Sequence, residues 1–338
     1  MNQANWPSDR LAGQRLMLGF DGIVFDEELA GILSGLQPGG LILFRRNVEN
    51  PDQLRKLCAD AQEFARSIGL PPLLISIDQE GGEVARLGPP FTVFPGNPAM
   101  TIPEDARFFG VTSARELLDA GIQMNLAPVM DVAPSGEPSI MERRVFPGGP
   151  EAVAEMGRRV IRAMEDAGLL AVAKHFPGIG RTVLDSHEEL PRMDAPRSEM
   201  ESIELPPFRA AIREGVAGIM LSHILYPSLD ARWPASLSAA IARDLLRREL
   251  GHDGLVLTDD LDMGAIRRHF SIAEAIPQIL EAEIDLILIC RPGPAAEAAF
   301  REICSAIDEN RAVHKSALES VERILQAKSR VFPAMSSA

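Results

Sequence analysis

The sequence predicts an α/β protein, a single-domain (β/α)₈ barrel of the TIM type spanning residues 1–338, and three observations carry that expectation. Eight short apolar runs recur along the chain: RLMLGF (15 to 20), LILF (41 to 44), LLISI (73 to 77), QMNLAP (123 to 128), LLAVAKH (169 to 175), GIMLSH (218 to 223), GLVLT (254 to 258) and DLILIC (285 to 290). Most are separated by stretches of helical period, among them 52–69, 152–168 and 237–251, the last two ending at a glycine. Strands that are apolar throughout, each followed by an amphipathic helix, describe a parallel sheet covered on its outer face. The rival, a doubly wound open sheet, lacks its phosphate fingerprint, because neither GxGxxG nor GxxxxGK[ST] follows any run.

In chain order, the runs end in charge. Asp21 follows the first, Arg45 and Arg46 the second, Asp78 the third and Asp131 the fourth. Lys174 and His175 close the fifth, His223 the sixth, Asp259 and Asp260 follow the seventh, and Arg291 the eighth. Active sites of such barrels lie at the C-terminal ends of the strands, so this ring marks the expected site, although any one member alone reads as an ordinary polar loop residue.

Composition narrows the function classes. Hydrophobic residues at 46% with 24% charged residues supply a substantial core. A net charge of -14 argues against nucleic acid or an anionic membrane as partner, since both need clustered Lys and Arg. Cys58, Cys290 and Cys304 are too few for a disulfide framework and form no CxxC pair, so buried free thiols are expected. The start MNQANWPSDR has no basic and apolar leader pattern and no run approaches ~18 apolar residues, which points to a cytoplasmic protein.

Three stretches carry chemistry. In AKHFPGIGRTVLDSHEELP (173 to 191), His175, Asp185 and His187 could ligate a metal, but none of the six histidines forms an HxH pair and no metal is expected. The same stretch suits acid/base work, because Asp185 can fix the tautomer of His187 two residues on; a solvated turn is the plain alternative. Gly178 and Gly180 are expected to make the intervening loop mobile. In VLTDDLDMGAI (256 to 266), Asp259, Asp260 and Asp262 could bind a cation, cap a helix or supply a nucleophile. In SIDQEGGEVARLG (76 to 88), Asp78 beside Arg86 suits sugar hydroxyls and equally suits a salt bridge.

Taken together, KHFPG followed by DSH, then TDDLDM, with IDQEGGEVARL and LILFRRNVENPDQL upstream, resemble glycoside hydrolase family 3, in particular its short bacterial β-N-acetylhexosaminidases of cell-wall recycling; the similarity runs from about Leu18 to about Arg291. The resemblance implies a retaining exo-β-N-acetylglucosaminidase acting on a small soluble β-linked amino sugar, without a cofactor. It implies Asp259 as nucleophile, His187 paired with Asp185 as acid/base, and Asp78, Arg86, Arg144, Lys174 and His175 as sugar contacts, with Arg143 the neighbouring candidate for Arg144. His223 is the second choice for acid/base. Another β-hexoside such as a β-glucoside, or a silent sugar-binding barrel, are the competing readings; intact Asp185, His187 and Asp259 weigh against silence. Two departures from the family pattern, Ile179 in HFPGIG for histidine and Glu83 in EGGEV for arginine, are expected near the pocket rim and bear on the leaving group. With Trp6, Trp233 and Tyr226 as the sole Trp and Tyr residues, a pocket for one terminal sugar fits better than a stacking cleft.

Overall fold

The computed structural model describes residues 3–134, 136, 138–184 and 190–332. Each predicted run contributes a strand: β1 (Leu16–Gly19), β2 (Gly40–Leu43), β3 (Leu74–Ile77), β4 (Met124–Asn125), β5 (Leu170–Phe176), β6 (Gly218–Leu221), β7 (Leu255–Asp260) and β8 (Leu286–Ile289). Neighbours in sequence pair in parallel and β8 pairs with β1, which closes the barrel. Because side chains alternate across a strand, one set fills the barrel and the other meets the helices. Met17, Ile42, Leu74, Met124, Leu170 and Leu257 pack inside, while Leu18, Leu41, Ile75, Ala171 and Val256 belong to the outer core. That double burial is why these strands read as continuous apolar runs.

Helices follow where the period places them. Pro51–Ser67 starts with Asn50 accepting the Gln53 N–H at 2.9 Å and Pro51 in its first turn. Pro150–Asp166 buries Val153, Met156, Val160, Ile161 and Met164 along one stripe. Gly168 and Gly251 hold the left-handed turn after their helices, with φ of 85° and 75°. The stretch expected as a helix from 237 differs at its start: Ala235–Leu237 forms a separate tight turn, and a wide, i→i+5 helix runs over Ala240–Glu249. Ser238 separates the two, its hydroxyl accepting the Ile241 N–H.

The two mouths of the barrel are unlike. At the N-terminal end the helix Arg311–Val331 lies across the opening, with Ile324 and Ala327 joining the interior cluster. Asp285, fully buried just before β8, gathers Arg247, Arg323, the Ser320 hydroxyl and the Val256 N–H. Burial by itself raises its carboxyl, but the two guanidinium groups prevail and hold it below the usual carboxylate range. Among the described residues, no helix covers the C-terminal end. There β3 runs into a short antiparallel ribbon of Gln79–Gly81 with Val84–Ala85. Gly81 and Gly82 turn it at φ of 86° and 61°, and a Cβ on Gly81 would come within 2.9 Å of the Phe94 side chain.

The Asp285 cluster yields a stability prediction. Asp285→Asn leaves Arg247 and Arg323 without their buried counter-charge and should cost about 3–5 kcal/mol, read as a lower midpoint in urea. Since folding depresses this carboxyl, its contribution is present above the unfolded value of about 3.9 and fades as pH falls through the folded value. A loss below about 1 kcal/mol would show that the arginines are solvated once the aspartate is gone.

Candidate active site

The open mouth contains a cavity of about 260 Å³. Its floor is apolar, formed by Ile42, Leu126, Met220 and Leu288 from four strand ends or their continuations. Asp78 reaches it from the end of β3, Glu80 and Arg86 from the ribbon, Arg144 from the connection after β4, Lys174 and His175 from β5, and Asp259 and Asp260 from β7. Phe44, Val84, Met263 and Cys290 complete the wall. The structure thus brings Asp78, Arg86, Arg144, Lys174, His175 and Asp259 together. Asp185 and His187 lie outside the described residues.

One polar chain organises the β3 and β5 side. The Lys174 ammonium, buried, stands 2.6 Å from Asp78 Oδ1 and 2.6 Å from Glu80 Oε1. Glu80 receives Arg144 through both oxygens, at 2.8 and 3.0 Å, a bidentate geometry. Asp78 also receives Arg86 at 3.2 Å, since the ribbon register, Gln79 opposite Ala85, sets residues 78 and 86 across from one another. Burial opposes charge on each member, yet the pairing prevails. Lys174 and Arg86 bring Asp78 down to about 2, Lys174 and Arg144 hold Glu80 low, and the two carboxylates raise Lys174. The result is a set of ionised donors and acceptors fixed before any ligand arrives.

On the β7 side two adjacent carboxylates are pushed apart. For Asp259 burial favours the neutral form, but His223, the Asp260 N–H at 2.8 Å and Lys174 oppose it, and the carboxyl stays below its ordinary value. Asp260 goes the other way, to about 6, because burial and the neighbouring Asp262 and Asp259 charges exceed the help of two N–H donors. Those donors, Asp262 N and Cys290 N, both bind Oδ1 at 3.0 Å and spend that oxygen on the backbone. Asp259 is thus the more acidic of the pair and keeps its charge over the wider pH range. Helix capping does not explain the acidic cluster, since the next helix, Gly264–Arg267, has no side-chain cap.

Other expectations sort as follows. Arg144, not Arg143, enters the cavity; Arg143 is exposed and pairs with Glu83 at 2.8 Å. Glu83 thus sits beside the wall residue Val84, as a rim position should. Ile179 does not lie at the rim: it is 5% exposed, packs in the outer core, and gives its N–H to Asp131 at 2.8 Å. A hydrophobic side chain is what that enclosed place accepts. Gly178 and Gly180 are buried rather than free; a Cβ on either would come within 2.7 Å of Glu204 or 2.2 Å of the Val132 carbonyl. Their lack of a side chain serves close packing. His223 has both ring nitrogens engaged, with Ser236 Oγ at 2.6 Å and the Asp260 carbonyl at 2.9 Å, which leaves it poorly placed to shuttle protons. Cys58 and Cys290 are buried as expected, whereas Cys304 is half-buried. Asp21 pairs with Arg46 at 2.7 Å, and Arg46 lies over the Phe44 ring. Phe44 is the aromatic residue in the cavity wall; Trp6, Trp233 and Tyr226 do not line it.

Glu80 and Cys290 were not singled out from the sequence as parts of the site, Asp131 only as a strand end, and Asp260 only as a strand end and one of the group Asp259, Asp260 and Asp262. Glu80 had a signal, because it lies two residues from Asp78 in an extended segment and so shares its face. Cys290 had none, as an apolar thiol at the end of an apolar run reads as core.

Among the described residues, no group of three or more His, Cys, Asp and Glu side chains is placed to hold a metal ion, and no helix is long and apolar enough to cross a membrane. Comparison with known proteins adds independent findings. Residues 12–327 match the glycosyl hydrolase family 3 N-terminal domain. A β-hexosaminidase of Alkalilimnicola ehrlichii is 37% identical over 297 residues, 85% of this chain and 84% of the relative, and one of Nitrosomonas eutropha is 35% identical over 324 residues, 92% and 91%. Among solved structures, a family 3 β-N-acetylglucosaminidase from a Paenibacillus species superposes with a TM-score of 0.92 at 38% identity, covering 98% of this chain; the chain spans 63% of that longer protein. A β-N-acetylhexosaminidase from Beutenbergia cavernae gives 0.87 at 28% identity, covering 96% of this chain and 99% of the relative. With a barrel of this topology, a cavity at its C-terminal mouth and these relatives over most of its length, the chain belongs to glycosyl hydrolase family 3 and is a glycoside hydrolase.

Proposed function

We propose that this protein is a retaining exo-β-N-acetylglucosaminidase that works as one catalytic unit over its length and releases terminal GlcNAc from soluble β-linked muropeptide fragments in the cytoplasm. The observation that carries the reading is the ionised Asp259 in the cavity opposite the fixed set Asp78, Lys174, Glu80 and Arg144. Alternating acceptors and donors suit the vicinal hydroxyls of a sugar, and a carboxylate beneath them suits its anomeric carbon. The cavity, about 260 Å³, is smaller than the roughly 300–1,000 Å³ of drug-sized sites, which favours one ring over an oligosaccharide. The names of the relatives favour an N-acetylated amino sugar, and the family resemblance supplies His187 with Asp185 as acid/base and cell-wall recycling as the setting.

The chemistry then runs in two steps. Asp259 attacks the anomeric carbon while the bond to the leaving oxygen breaks and that oxygen takes a proton from the His187 imidazolium. Water next attacks the same carbon, giving its proton to His187 as the Asp259 ester bond breaks, so the product keeps the β configuration.

Product configuration, substrate preference and the behaviour of variants test this. Released GlcNAc should be the β anomer first, by NMR during hydrolysis, and a chelator should leave the rate unchanged; an α product or loss on chelation overturns the nucleophile or the metal-free reaction. An aryl β-GlcNAc should be cleaved faster than the matched aryl β-glucoside, and equal rates would move the substrate class to β-hexosides in general. Asp259→Asn should abolish turnover for every leaving group. By contrast, His187→Ala should spare the first step with an activated phenol, giving a burst and a trapped glycosyl-enzyme, and lose ~10²- to 10⁴-fold with a sugar leaving group. Equal losses on both substrates, with no trapped intermediate, would remove His187 from the acid/base role.

A further inference from the structure

Beneath the sugar-facing residues lies a carboxylate that touches neither the cavity nor Asp259. Asp131 follows β4 and is fully buried, brought opposite His175 because the backbone at Val129 and Met130 pairs with Lys174. Three N–H groups converge on it. Oδ2 accepts the His175 ring Nδ1–H at 2.8 Å and lies 3.3 Å from the His175 backbone N, and Oδ1 accepts the Ile179 N–H at 2.8 Å. One carboxylate therefore grips the imidazole, its own backbone and the chain four residues on.

This arrangement dictates the state of the imidazole. A carboxylate can only accept, so Nδ1 carries a proton. The other nitrogen, Nε2, is 3.4 Å from Arg144 Nη2. A guanidinium can only donate, so Nε2 must present its lone pair. The groups around His175 are thus Asp131 behind it, Arg144 beside it, and Lys174 and Asp259 within the same cavity. We propose that Asp131 is a positioning residue for this enzyme: it locks His175 as the neutral Nδ1–H tautomer, so that Nε2 accepts from Arg144 and holds that guanidinium in place at the cavity wall. The kinetic part rests on the proposed hydrolysis; the tautomer does not.

Asparagine is the informative replacement because it keeps size and removes half of the acceptors. If its amide nitrogen faces Ile179, two donors oppose each other there. If it faces the ring, Nδ1 must accept, the proton moves to Nε2, and Nε2–H then opposes Arg144. Neither orientation preserves both contacts.

The test begins with the wild-type protein carrying ¹⁵N-histidine, in which the His175 signals are those lost in His175→Gln. A proton-coupled spectrum at neutral pH should show Nδ1 protonated and Nε2 bare; the reverse tautomer or an imidazolium overturns the proposal without any Asp131 variant. In Asp131→Asn, Nε2 should become protonated in a substantial fraction, and KM for an aryl β-GlcNAc should rise about 10- to 100-fold as the His175–Arg144 contact is lost and both side chains are misaligned. A purely structural role would lower the active fraction instead, so that kcat falls while KM and the tautomer stay unchanged, and that result also overturns it. Should Asp131→Asn not fold, the wild-type tautomer decides. A wild-type enzyme that fails to cleave the substrate sinks the proposed function and leaves the tautomer assignment intact, whereas active enzyme with the reverse tautomer sinks this inference alone.

Discussion

The site depends on one buried ammonium. Lys174 sits between Asp78 and Glu80 at 2.6 Å from each, and without it two carboxylates would share a low-dielectric space with nothing to offset their repulsion. With it, Arg86 binds the second Asp78 oxygen and Arg144 both Glu80 oxygens, and the charges alternate across two strand ends and a ribbon. Each charge is costly to bury alone and is offset by its neighbours. Such a network is rigid, because moving one member strands its neighbours. Rigidity here is functional, as hydrogen-bond partners held in place before binding need not reorganise when a ligand arrives.

The barrel makes room for this network by dividing its labour along its axis. The N-terminal mouth is filled by Ile324 and Ala327 from the last helix and tied by Asp285 to arginines from two other elements. Glu165 adds a further tie, accepting the N–H groups of Ala171 and Ala217 and pairing with Arg330. Stability is thereby concentrated at one end, and the other is left free to carry buried charge. This is the usual separation in such barrels, where the strand C-termini hold the chemistry.

The same logic separates the two β7 carboxylates. Asp259 faces His223 and Lys174 and stays below its ordinary value, while Asp260 faces backbone donors, the Cys290 thiol and other carboxylates and is raised to about 6. Residue spacing alone left three equivalent aspartates in TDDLD, and only the family resemblance pointed to Asp259. At the rim, Glu83 neutralises Arg143 instead of adding to the cationic character of Arg86 and Arg144.

By itself the sequence determined the architecture and the place of the site. Eight apolar runs became eight strands because a barrel strand is buried on both faces, and the charges that follow them landed at one mouth because parallel strands share a direction. The family resemblance pointed to Asp78, Arg86, Lys174, His175 and Asp259, and the fold brings all five to one cavity. Only the tertiary structure decided between Arg143 and Arg144, gave Glu80 its bridging place, buried Ile179 away from the rim, and set Gly178 and Gly180 against neighbouring chain. It also put Asp131 behind His175. The reason is physical: strand alternation and period are local and survive in the sequence, whereas which of two adjacent arginines turns inward, and which carboxylate keeps its charge, depend on groups tens of residues away that only folding brings within a few ångströms.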